Sequence, residues 1–208
     1  MRLQVAIDRV SVERADEIIR LTAGYADIIE IGTSLIKDFG LEGSVKLLKE
    51  KYPKQCILAD IKTCDEGAYE FRRTYECGGD IPTVMGFSSL STLRACQKEA
   101  EKFGKEYMID LLEVSDEKLE ILKKEFPEAV FGIHLPSDDQ GEGLEQLVLH
   151  MCAQLKGVEK IAVAGGVTLD TIGIMKNAGI DIVIVGSAIN KAENITETAK
   201  IFAEAVRG

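Results

Sequence analysis

The densest run of reactive side chains is Asp60-Ile61-Lys62-Thr63-Cys64-Asp65, which leaves the apolar segment Cys56-Ile57-Leu58-Ala59. In an extended strand, positions two apart face the same side, so Asp60 and Lys62 are expected to point together. A lysine held against carboxylates can stabilise an anionic intermediate or transfer a proton, although a structural ion pair uses the same residues. Glu30, within Ile28-Ile29-Glu30-Ile31, could share a hard divalent ion such as Mg2+ with Asp60 if the two segments are neighbouring strands. Asp8, Asp110 and His134 each close a further apolar run, and His134 has an intrinsic pKa suited to general acid or base work. The other histidine, His150, reads as a half-buried structural residue of a helix. Taken singly, an acid leaving a strand is commonly a helix cap or turn former, and Asp8, just ahead of Ser11 and Val12, suits that role.

These groups need elements that bring them to one place. Short β-rich apolar runs at 3–7, 28–31, 56–61, 81–85, 106–111, 129–133, 160–164 and 180–185 alternate with helical periodicity. The clearest helical segments are 12–22, 41–51, 90–103, 117–126 and 195–206. In the third of them Leu90, Leu93, Cys96, Ala100 and Phe103 recur every three to four residues, while Arg94, Lys98 and Glu99 are expected to face away. Eight such units over residues 1–208 predict one (β/α)8 TIM barrel domain, in which residues just past each strand converge on the catalytic face. An open dinucleotide-binding sheet would normally carry Gly-x-Gly-x-x-Gly after its first strand, where this chain has Asp8-Arg9-Val10. The seventh and eighth runs end in Gly165-Gly166 and Gly186-Ser187, where barrels often hold phosphate through backbone N–H groups.

The 208 residues carry a net charge of −10, which leaves no basic surface for nucleic acid or anionic lipid. An anionic substrate must therefore be held by local donors. Five cysteines without a Cys-x-x-Cys spacing fit a reduced, cytoplasmic setting. The apolar run after Met1 and Arg2 is too short for a secretory signal, and no stretch is long enough to span a bilayer.

The Asp-x-Lys-x-x-Asp motif of Asp60, Lys62 and Asp65 resembles that of the orotidine 5′-monophosphate decarboxylase superfamily. Leu3-Gln4-Val5-Ala6-Ile7-Asp8, Ile29-Glu30-Ile31-Gly32-Thr33, Leu58-Ala59-Asp60-Ile61-Lys62 and Ile161-Ala162-Val163-Ala164-Gly165-Gly166 are similar to its 3-hexulose-6-phosphate synthase and 3-keto-L-gulonate-6-phosphate decarboxylase branch. The resemblance covers essentially the whole chain. It implies a Mg2+-dependent lyase working through an enediolate, with Glu30 and Asp60 around the metal and Lys62 beside the enediolate. It further implies His134 as proton shuttle, Asp110 among the catalytic groups, Asp8 near the substrate, and phosphate at Gly165, Gly166, Gly186 and Ser187. A homodimer is implied too, with Asp65 reaching toward the neighbour's site.

Within the branch, the synthase adds formaldehyde to D-ribulose 5-phosphate, whereas the decarboxylase releases CO2. Decarboxylases carry arginines at the places of Ser137 and Ser187 and favour Glu where this chain has Asp110, so synthase is the first expectation and decarboxylase the alternative. Leu135-Pro136-Ser137 in place of Thr-Gly after the histidine, Pro82 ahead of Thr83, and Glu66 in place of a small residue all depart from the synthase pattern. A non-catalytic sugar-phosphate binding protein is the reading from another class, and it would have no need of a proton shuttle.

Overall fold

Eight parallel strands follow one another around a closed barrel in sequence order. They are β1 (Arg2–Ile7), β2 (Ile28–Ile31), β3 (Cys56–Thr63), β4 (Ile81–Met85), β5 (Met108–Asp110), β6 (Val130–His134), β7 (Ile161–Ala164) and β8 (Ile182–Val185). This is the (β/α)8 TIM barrel expected from the alternating pattern. The structure, a computed structural model, describes residues 1–136 and 143–208; Ser137 lies outside them.

Ten helices cover the barrel among the described residues: α1 (Val12–Thr22), α2 (Thr33–Leu41), α3 (Leu47–Lys51), α4 (Gly67–Glu76), α5 (Leu90–Phe103), α6 (Asp116–Glu125), α7 (Leu144–Gln154), α8 (Ile172–Asn177), α9 (Ser187–Asn190) and α10 (Ile195–Arg207). Ser11, Ser89, Ser115 and Asn194 each accept a backbone N–H of the first turn that follows, at the starts of α1, α5, α6 and α10. Both faces of every strand are buried. Outward side chains such as Val5, Ile29, Ile57 and Ile109 join the helices in one large core, while Ile28, Leu58, Met108, Val130 and Ile182 fill the barrel itself. The barrel floor is thus largely apolar, and polar groups collect at the carboxyl ends of the strands.

The structure corrects several boundaries. The helix expected at 41–51 begins at Thr33 and reaches Lys51 through a break at Gly40 (φ 69°) and a π-helical turn, Glu42–Lys46. Gly40 serves as a bend within a longer helical passage. β3 runs two residues further than its apolar stretch, through Lys62 to Thr63, and β5 is trimmed to three residues. Glu99 is buried rather than outward-facing, with Lys102 Nζ at 3.3 Å, and His150 is exposed rather than half-buried.

Candidate active site

At the carboxyl end of the barrel lies a cavity of about 1000 Å3 lined by Asp8, Glu30, Asp60, Lys62, Asp110 and His134. Gly165, Gly166, Gly186 and Ser187 line the same cavity on the β7 and β8 side. Of the residues expected at a catalytic face, only Asp65 stays outside it. Asp65 is exposed, and its Oδ1 accepts the N–H of Glu66 at 2.8 Å.

Lys62 is the hub. Its Nζ donates to Asp110 Oδ2 at 2.9 Å and sits 3.1–3.2 Å from both oxygens of Asp60. On the other side of Asp110, His134 Nδ1 lies 2.8 Å from the same Oδ2. Burial alone would push the Asp110 carboxyl up, but the His134 hydrogen bond and the Lys62 charge outweigh it and hold the group down at about 2. Burial likewise opposes the Lys62 charge, and Asp60 and Asp110 reverse that effect, raising its pKa. Lys62 therefore stays an ammonium and Asp110 a carboxylate.

Lys62 reaches this position by a distorted backbone. It is one of four non-glycine residues with positive φ among those described, at 49°, a conformation that costs an L-residue roughly 1–2 kcal/mol. It stands where the pairing of β3 with β4 shifts register between Ala59 and Thr63, so Asp60 and Lys62 do not meet by the simple alternation of a flat strand. Glu66 is another of the four, at φ 55°, which gives a physical reason for a small residue to suit that place.

Three residues that sequence reasoning did not single out hold the carboxylates. Thr33 Oγ1 donates to Asp60 Oδ2 at 2.8 Å, and Thr83 Oγ1 donates to Asp60 Oδ1 at 2.8 Å. Gln4, fully buried on β1, donates through Nε2 to Glu30 Oε2 at 2.5 Å, leaving its own Oε1 buried and unpaired. A polar residue in the otherwise apolar run 3–7 was the available signal for Gln4.

Asp8 does not cap α1, which Ser11 does. Its Oδ1 accepts Ser34 N at 3.0 Å and the Ser34 hydroxyl, so it caps the first turn of α2, and a Cβ at Gly32 would intrude on its carboxyl group. Gly165 is required by conformation (φ 94°) and by space, since a Cβ there would collide with the Leu135 carbonyl oxygen; Gly166 also has positive φ, 67°.

Burial, and next the charge of Asp60, push the Glu30 carboxyl up to about 8. A divalent cation beside Glu30 and Asp60 would displace the Glu30 proton and offset the resulting carboxylate charge. No group of three or more His, Cys, Asp or Glu with metal-holding geometry occurs among the described residues. Mg2+ commonly binds through only one or two carboxylates and completes its shell with water and substrate oxygens, so Glu30 and Asp60 fit it.

The profile of the Orotidine 5'-phosphate decarboxylase / HUMPS family matches residues 1–202. The chain is 35% identical to 3-hexulose-6-phosphate synthase of Bacillus subtilis over 203 residues, 96% of this chain and 95% of that one. It is also 35% identical to 3-hexulose-6-phosphate synthase of Staphylococcus haemolyticus over the full length of both. Among solved structures, that of 3-hexulose-6-phosphate synthase from Salmonella typhimurium superposes with a TM-score of 0.91 at 30% identity, covering 99% of this chain and 98% of the other.

Proposed function

The chain belongs to the Orotidine 5'-phosphate decarboxylase / HUMPS family, and from that premise we propose that it is a 3-hexulose-6-phosphate synthase, a lyase that joins formaldehyde to D-ribulose 5-phosphate. The relatives' shared activity supports this reading. The observation that carries its chemistry is the Lys62–Asp110–His134 chain of contacts.

Because Asp110 is ionised, it can only accept, so His134 carries its proton on Nδ1 and leaves Nε2 as a base. Nε2 takes a proton from C1 of the ketose phosphate, next to the C2 carbonyl, and the electron pair moves toward the C2 oxygen. The Lys62 ammonium neutralises the charge gathering there as the enediolate forms. C1 then attacks the carbon of formaldehyde, whose C=O π pair moves to oxygen, and protonated His134 returns its proton to that oxygen. Mg2+, held by Glu30 and Asp60 with Gln4 behind Glu30, would supply further positive charge for the enediolate oxygens. Backbone N–H groups near Gly165, Gly166, Gly186 and Ser187 hold the phosphate, and Asp8 helps to place the substrate by fixing the start of α2.

The reading includes a homodimer in the cytoplasm. Asp65 is exposed and does not line its own cavity, and the exposed Tyr69 and Phe87 follow β3 and β4 at the same end of the barrel; sedimentation velocity tests the dimer. No helix among the described residues is long and apolar enough to cross a membrane. The activity itself is tested by following formaldehyde consumption with D-ribulose 5-phosphate and Mg2+. Consumption matched by hexulose phosphate formation is the expected result. CO2 release from 3-keto-L-gulonate 6-phosphate in its place assigns the chain to decarboxylation, and phosphate-ester binding without turnover makes it a binding protein.

A further inference from the structure

The pairing of β3 with β4 skips at the catalytic motif. Ala59 pairs with Pro82 and Thr63 with Val84, so Asp60, Ile61 and Lys62 on β3 face Thr83 alone on β4. Pro82 has no N–H to give to the ladder, and prolines in sheets are confined largely to edges, strand starts and bulges for that reason. Three residues against one cannot be matched by backbone bonds. The gap is filled by a side chain: Thr83 Oγ1 accepts the N–H of Lys62 at 2.9 Å and donates its own proton to Asp60 Oδ1 at 2.8 Å. Thr83 is buried, at 3% exposure, so neither bond is shared with bulk water. The N–H it accepts belongs to the residue whose φ of 49° is sterically disfavoured.

We propose that Thr83 is a positioning residue for the reaction: with Pro82 it locks the β3 bulge, keeping Lys62 in its left-handed conformation and turning Asp60 toward Lys62 Nζ. A hydroxyl can do this because it accepts and donates at once, and the two bonds it makes go to the two motif residues that must meet. The inference deepens the enediolate reading and rests on it for its kinetic consequence, whereas the lock itself is a statement about structure. The isosteric change Thr83→Val keeps volume and β-branching but removes both bonds, and Thr83→Ser restores the hydroxyl.

The test follows hydrogen exchange of the Lys62 amide by NMR together with steady-state kinetics in wild type, Thr83→Val and Thr83→Ser. The expected result is a Lys62 N–H protected in wild type and Thr83→Ser but exchanging selectively faster in Thr83→Val. In parallel, kcat of Thr83→Val falls about tenfold or more while KM for D-ribulose 5-phosphate changes little. Equal Lys62 protection in wild type and Thr83→Val overturns the lock, as does a Thr83→Ser variant as impaired as Thr83→Val. If Thr83→Val does not fold, Thr83→Ala is read the same way, and loss of folding in both makes Thr83 a structural residue of β4 and overturns the positioning role. A wild type that shows the Lys62 protection but no turnover leaves the lock standing and defeats the enediolate reading alone.

Discussion

His134 Nδ1 lies 2.8 Å from Asp110 Oδ2, the same oxygen that receives Lys62 Nζ at 2.9 Å. One buried carboxylate thus fixes a base on one side and an ammonium on the other. Converting Asp110 to Asn should leave His134 without an obligate acceptor and Lys62 with half its counter-charge. The expected outcome for Asp110→Asn is a kcat lower by about 100-fold or more with native circular dichroism.

The same carboxylate predicts an acid limit. Its pKa in the folded chain is held at about 2, below its ordinary value of 3.8, so folding gains from it fully above that ordinary value and loses the gain as pH falls toward about 2. The contribution is about 2 kcal/mol. Urea unfolding at a series of pH values should show Asp110→Asn losing less stability than wild type across that window.

Glu30 has the opposite sign. Its folded pKa of about 8 exceeds the ordinary 4.5, so without metal, stability falls as pH rises between those values. Mg2+ needs the carboxylate and must displace the proton, so its effect grows with pH. Thermal melts should show a larger Mg2+-induced rise in Tm near pH 9 than near pH 6. In Glu30→Gln the Mg2+ effect should vanish, and the metal-free protein should be more stable than wild type at high pH.

Gln4 holds Glu30 at the cost of an unpaired buried oxygen. Replacing it with leucine removes that orphan but also takes the donor from the buried Glu30 Oε2, so Gln4→Leu should remain folded while losing about 1–3 kcal/mol in urea unfolding. Its affinity for Mn2+, used as a spectroscopic stand-in for Mg2+ and titrated by electron paramagnetic resonance, should fall about 10- to 100-fold.

Gly165 tests the phosphate side. At φ 94°, with Leu135 Cβ 2.8 Å from where its own Cβ would stand, Gly165→Ala should lose on the order of 1–3 kcal/mol in urea unfolding. KM for the sugar phosphate should rise more than kcat falls.

Much of this architecture was legible in the sequence because parallel strands buried on both faces read as apolar runs. Glu30, Asp60, Asp110 and His134 stand out as polar residues at their ends. Strand alternation predicts that Lys62 points with Asp60, whereas the structure brings the two together through a bulge, and the sequence trace of that bulge is Pro82. Thr33 and Thr83 are not legible in the sequence, since an uncharged hydroxyl acquires its role from a partner more than twenty residues away, and Gln4 shows only as a polar break in the apolar run 3–7. In sequence Asp8 suits a cap for the helix next to it, but it caps the following one, because the α2 start lies beside it across the β1–β2 junction.

In the proposed reaction Lys62, held by Asp60 and Asp110, stabilises an enediolate formed by proton removal at C1. Incubating the protein with Mg2+ and D-ribulose 5-phosphate in D2O, without formaldehyde, and following the C1 proton by NMR tests it directly. Wild type should exchange the proton stereoselectively, and Lys62→Ala that remains folded by circular dichroism should lose about 100- to 1000-fold of that rate. Undiminished exchange in folded Lys62→Ala, or formaldehyde condensation by a wild type that never exchanges the C1 proton, would contradict it.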